Sequence, residues 1–391
     1  MGGLKFQKRV IAVVDNSPAE FNTFSAVGDI NGDGFLDIVI GGRKGRMVWL
    51  ENPGVDGSWT QHFIDEVEML ECGGSIYDLN GDGLPDLVCG GDWRSDEVWW
   101  WENPGRPGAK WVKRLVAKTG HTQFHDTVVG DVTGDGTVSL VFTNQHGDDG
   151  TSIYRLPLPK DPAISPWPGL EQVAAGRWEY NPKNKWLPNG HQPEEGLAIG
   201  DVDGDGLNEI VCGTHWYKYS DGKWLSYKFA KGYITTKVAV GDIDSDGKQE
   251  IVLSEGDPCI YGRVEGGRLA WFKQSSDPTV PWEEHVLEEG LMDAHSLQLG
   301  DICGNGRLDL FVGEIGMADP ETDTYVNRLP RLFIYENRGD AFFTRHIIDE
   351  GTGTHDAVLA ELRARGVLDI IGKPLHGSEK WQVHAWLNQE D

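Results

Sequence analysis

Basic residues are scarce. Lysine and arginine number 35 against 62 aspartates and glutamates, a formal charge of −27. Phosphate recognition needs a basic footprint, so nucleic acid is excluded as a partner. Cysteine is equally thin: the five are an odd number without a CxxC pair, and Cys89 and Cys212 lie in apolar runs. No disulfide framework follows, and those two read as small core residues. Long apolar runs are missing too, so no membrane span is expected. The start, Met1-Gly-Gly-Leu-Lys, lacks an extended apolar stretch, and no signal peptide is read in it. Acid, glycine and aromatics are plentiful instead.

Much of the acid falls in one recurring loop. Asp201-Val-Asp203-Gly-Asp205-Gly-Leu-Asn-Glu209 sets oxygen-bearing side chains at positions 1, 3, 5 and 9, with glycine where the backbone must turn. Such a spacing suits calcium, which takes six to eight oxygens in a flexible cage. It is not an EF-hand, because it ends at position 9 and runs directly into the strand Ile210-Val211-Cys212. The loop recurs as Asp29-Ile-Asn31-Gly-Asp33-Gly-Phe-Leu-Asp37, Asp78-Leu-Asn80-Gly-Asp82-Gly-Leu-Pro-Asp86 and Asp242-Ile-Asp244-Ser-Asp246-Gly-Lys-Gln-Glu250. Weaker copies hold Asp131 and Asp135, with Ser139 at the ninth place, and Asp301, Asn305 and Asp309. In a seventh copy, Arg363 and Arg365 stand where ligands should be, between Glu361 and Asp369.

Each loop is preceded by a short strand and followed by an apolar one, such as Asp37-Ile-Val-Ile or Glu250-Ile-Val-Leu. A third strand rich in aromatics comes next, as in Val98-Trp-Trp-Trp, and then an alternating fourth, as in Trp111-Val-Lys-Arg-Leu-Val. Four strands in each of seven repeats predict an all-β fold, a seven-bladed β-propeller occupying residues 1–391 as a single domain. Phe6-Gln-Lys-Arg-Val-Ile-Ala-Val matches the fourth-strand pattern but precedes the first repeat, and the last repeat stops after its third strand. The N-terminal strand should therefore complete the last blade. Loop starts are 49, 53, 70, 41, 59 and 60 residues apart, which points to insertions at 157–193 and 316–330.

The repeat resembles the FG-GAP, or VCBS, repeat of integrin α-subunit propellers across essentially the whole chain. It is also similar to the propellers of carbohydrate lyases acting on ulvan or rhamnose–glucuronate, and to the propeller part of aldos-2-ulose dehydratase. The resemblance implies several structural calcium ions in the loops and a carbohydrate substrate or ligand. Calcium sites of modest affinity point to a secreted or periplasmic setting.

In such a propeller the approach to each first strand and the second-to-third connections share one face, around the channel mouth. The residue six places before each loop is Thr23, Cys72, His125, Glu195, Thr236, His295 and His355 in turn, and Asp126, Lys237 and Asp356 follow at the next position. Three histidines and a glutamate at one ring position suggest chemistry. The connections add Arg43, Trp93-Arg94, His215-Trp216-Tyr217, Asp257, Glu314 and His376. Lyase chemistry is expected: β-elimination on a uronate-containing or keto sugar. Arg94, Lys237 or Arg43 would neutralise a carboxylate. His125, His295 or His355 would take the proton, with Tyr217, His215 or another histidine as the acid. A second divalent metal on His295, His355 and a carboxylate would polarise a ketone. The alternative is a non-catalytic calcium-dependent binding propeller, a lectin or adhesion module.

Overall fold

The computed structural model describes residues 4–54, 57–147, 150–184, 191–363 and 366–389. Its strands form seven antiparallel sheets in chain order. Blades 1 to 7 span 24–68, 75–118, 122–193, 197–228, 236–291, 296–350 and 358–388. Phe6–Val13 pairs with Gln382–Asn388, Phe6 opposite Asn388, so the N-terminal strand is the outer strand of blade 7. The fold is an all-β propeller with its ring closed by both ends of the chain. No helix among the described residues is long and apolar enough to cross a membrane.

Successive side chains of a strand point to opposite faces. In blade 2, Trp99 and Trp101 therefore pack towards blade 1 with Val39 and Trp49, whereas Trp100 between them packs towards blade 3 with Phe142 and Tyr154. Neighbouring blades cover both faces of each inner strand, which is why these runs are apolar throughout rather than alternating. One apolar cluster fills every blade interface, including the closing one, where Ile40 and Val48 meet Ile371 and Val383.

Residues 157–193, expected as an insertion, hold the outer strand of blade 3, Glu171–Tyr180, and a fifth strand, His191–Pro193. Glu171-Gln-Val-Ala-Ala-Gly has small residues where other outer strands have large ones, which hid it, yet Val173 and Ala174 pack against blade 4. Residues 185–190 of that segment lie outside the described residues.

The Asn-Pro-Gly sequences after the third strands do more than turn. Asn103 Nδ2 donates to Pro85 O of its own blade at 3.0 Å and to Ile30 O of blade 1 at 2.8 Å. Asn52, Asn337 and Asn388 repeat this clasp onto Leu362, Ile243 and Ile302 of the preceding blades. Asn103→Ala should cost about 1–3 kcal/mol, because two carbonyls lose their donor, that of Ile30 in a buried bond and that of Pro85 in a part-buried one. Urea unfolding measures it against the exposed control Lys110→Ala. A loss no larger than the control's would reject the clasp.

Candidate active site and metal centre

The residues before the first strands converge on the channel. In blade 3 the ladder slips between Phe124 and Thr127, a bulge that turns His125 and Asp126 inward. In blade 7, Asp356 has a φ of 52°, sparsely populated for a residue with a side chain, just before Val358–Ala360. His125 Nε2 lies 3.4 Å from Glu195 Oε2, and His295 Nε2 lies 3.9 Å from the same oxygen. Asp257 Oδ2 is 3.8 Å from His295 Nε2. Gln145 holds the other Glu195 oxygen at 2.6 Å. The outward ring nitrogens face carboxylates: His125 Nδ1 is hydrogen-bonded to Asp126 at 2.8 Å, and His295 Nδ1 lies 3.4 Å from Asp356 without a hydrogen bond between them. Lys237 Nζ joins those two carboxylates, 3.4 Å from Asp126 and 3.2 Å from Asp356. His355 stacks on His295 with ring centres 4.2 Å apart.

This cluster divides two cavities. A mouth cavity of about 250 Å³ is lined by His125, Glu195, His295 and His355 together with Arg43, Glu71 and Tyr261. Further down the first strands, one of about 210 Å³ meets Asp126, Lys237 and Asp356, and His295 borders both.

Burial pushes the Glu195 carboxyl up to about 8. Burial would lower His125, but Cys72, Glu195 and Asp126 beside it together outweigh that and hold it above its ordinary value. The pair retains a proton at neutral pH. Burial lowers His295, with Lys237 acting in the same direction, and lowers His355 further, so both rings stay neutral. Burial alone would raise Asp126 and Asp356, but Lys237 together with the neighbouring imidazoles, His125 for Asp126 and His355 and His295 for Asp356, outweighs it and holds both below the usual carboxylate range.

His125, Glu195 and His295 offer three buried ligand atoms within 4.8 Å of one another. Two imidazoles and a carboxylate suit a transition metal better than calcium. Carboxylates behind both imidazoles, as here, are the usual means of fixing the metal-binding tautomer. The set fits such an ion, with His125 in the place the sequence reading had given to His355.

Several expected site residues lie elsewhere. Tyr217 is wholly buried in the core between blades 3 and 4, and Trp216 in that between blades 4 and 5, because successive residues of one strand face opposite neighbours. His215 is bound to Glu194 at 3.1 Å, and neither lines the mouth cavity. Arg94 is tied to Asp92 and lies over the exposed ring of Trp93, outside the mouth. Glu314 is fully buried against Arg328 and the Met292 N–H. Lys237 sits below the mouth in the carboxylate layer. Glu71 and Tyr261, which line the mouth, escaped the sequence reading. The long connection between Glu250–Glu255 and Gly267–Lys273 was the available sign of Tyr261.

The acidic loops share one architecture. The position-one carboxylate accepts the N–H of the position-six glycine in every blade: Gly34, Gly83, Gly136, Gly206, Gly247, Gly306 and Gly366. Those glycines have φ between 71° and 89°, which a side chain would strain. The ninth residue staples strands together, as where Asp37 accepts Ile30 N and Asn52 N. In the seventh loop Arg363 pairs with Asp369, while Arg365 lies outside the described residues.

Residues 78–142 and 201–253 match the FG-GAP-like repeat, and residues 21–45 the FG-GAP repeat. No curated protein sequence matches the chain significantly. Solved structures share the fold at low identity. Rhamnogalacturonan lyase YesW aligns with a TM-score of 0.52 and 14% identity over 98% of this chain and 75% of that one. The exotype rhamnogalacturonan lyase YesX gives 0.51 and 13%, over 98% and 76%. BBS1N, crystallised in complex with ARL6DN, gives 0.54 and 11%, over 98% and 96%. At such identities the likeness concerns the fold.

Proposed function

We propose that the channel mouth is the active site of a carbohydrate-active lyase that eliminates across a C–O bond next to the carbonyl of an oxidised sugar. The convergence of His125, His295 and Glu195 at the floor of the mouth cavity carries the reading. The rhamnogalacturonan lyases among proteins of similar fold are consistent with it. A divalent transition metal on these three residues would polarise the sugar carbonyl and acidify the neighbouring C–H. His355, kept neutral beside His295, accepts that proton. The electron pair forms the C=C bond, and the β-oxygen leaves with a proton from Tyr261, whose phenol burial keeps protonated. Asp126 and Asp356 hold the two metal-facing imidazoles in register. A keto sugar is favoured over a uronate, since the guanidinium lining the mouth, Arg43, is already paired with Glu71 at 3.1 Å.

Incubation with 2-keto sugars and with uronate glycosides, followed by ultraviolet absorbance of the unsaturated product, tests the reading. Turnover of the keto sugars is expected. It should vanish with a transition-metal chelator in calcium-containing buffer and return with zinc or manganese. Turnover indifferent to the chelator removes the metal, and sugar binding without product on either panel removes the lyase.

A further inference from the structure

The two most acidic repeat loops are those into which a lysine reaches. Blades 4 and 5 place four carboxylates each, Asp201, Asp203, Asp205 and Glu209, then Asp242, Asp244, Asp246 and Glu250, where blades 1 and 2 place three. Pairing of Ile210 with Tyr217 puts Lys218 beside Glu209, and pairing of Ile251 with Phe272 puts Lys273 beside Glu250. Lys218 Nζ ion-pairs with Asp203, with Asp205 at 2.6 Å and with Glu209 at 3.4 Å. Lys273 Nζ ion-pairs with Asp244, and with Asp246 at 2.8 Å. In blades 1, 2 and 6 the same place carries a carboxylate instead, Glu51, Glu102 or Glu336, opposite an aspartate at position nine. Lysine thus accompanies glutamate at the ninth position in blades 4 and 5, and glutamate accompanies aspartate in blades 1, 2 and 6, whereas blade 7 sets Leu387 opposite Asp369.

We infer that Lys218 and Lys273 are built-in cations, whose ammonium groups occupy the centres of loops 4 and 5 in place of a divalent ion. A tethered ammonium needs no capture from solution, and a dication entering the same ring of oxygens would meet it at close range. A side-chain cation is also compatible with the loop's turn, since Arg363 pairs with Asp369 in the seventh loop. The position-one to position-six hydrogen bond persists in the seventh loop, where Glu361 accepts Gly366 N although the third-position ligand has become Arg363. The loops closest to the full ligand pattern in sequence are thus the ones closed to calcium. The inference is independent of the activity proposed for the channel mouth.

Calorimetric titration of calcium into the chelator-stripped full chain tests it. Asp203→Asn with Asp205→Asn should leave the wild-type stoichiometry unchanged, since loop 4 holds no calcium to lose. Lys218→Met should add one calcium per chain, Lys273→Met likewise, and the double variant two. The Lys218→Met protein should also gain more thermal stability from added calcium than the wild type does. Loss of one calcium in the Asp203→Asn, Asp205→Asn protein would overturn the inference, as would a folded Lys218→Met protein with wild-type stoichiometry. Should Lys218→Met not fold, the asparagine variant decides alone.

Discussion

His295→Ala should lower kcat/KM for the eliminated sugar by on the order of 10³ and abolish binding of a transition metal. His295 belongs to every part of the site: its Nε2 faces Glu195 and Asp257, its Nδ1 faces Asp356, and its ring stacks on His355. The side chain is almost fully buried, so alanine also leaves a cavity and some stability falls with it. His295→Gln, which keeps most of the volume, separates the two effects, and thermal unfolding should show it closer to wild type. Elemental analysis of bound metal and the initial rate of unsaturated product provide the readouts. Activity within tenfold of wild type in either variant would remove His295 from the chemistry and the metal reading with it.

Lys237→Met should destabilise the protein by about 3–5 kcal/mol, the usual cost of removing one partner from a buried ion pair. Its ammonium is the shared counter-charge of Asp126 and Asp356, both nearly buried, and after burial it acts most strongly on each of them, in the lowering direction. Methionine fills the space and leaves two carboxylates facing each other across the channel. Adding Asp356→Asn should recover much of the loss, because a neutral amide can stay there unpaired by charge. Urea denaturation of the single and double variants measures both values. A single-variant cost below about 1 kcal/mol would show that water already screens these carboxylates.

The two predictions separate residues that the ring position had grouped together. His125, Glu195, His295 and His355 do meet in one cavity, and their equivalence across blades was visible from the spacing of the acidic loops. Lys237 stood in the same alignment as a candidate for a substrate carboxylate, yet it faces inward to Asp126 and Asp356. Glu314, expected on the mouth, is spent on Arg328 inside blade 6. Parity decided Trp216 and Tyr217, since a strand starting at His215 sends one of them to each neighbouring blade.

The sequence by itself determined the repeating loop, the four-strand unit, seven blades and closure by the N-terminal strand. These depend on demands met within about ten residues: a carboxylate for a glycine N–H, a turn, an apolar run. Only the tertiary structure decided which side chains share a channel, which lysines enter which loops and which asparagines clasp the next blade. Those groups come from segments as far apart as His125 and His355, and ring closure brings them to the walls of one cavity. Their roles then follow from burial and from the nearest opposite charge, neither of which a linear pattern carries.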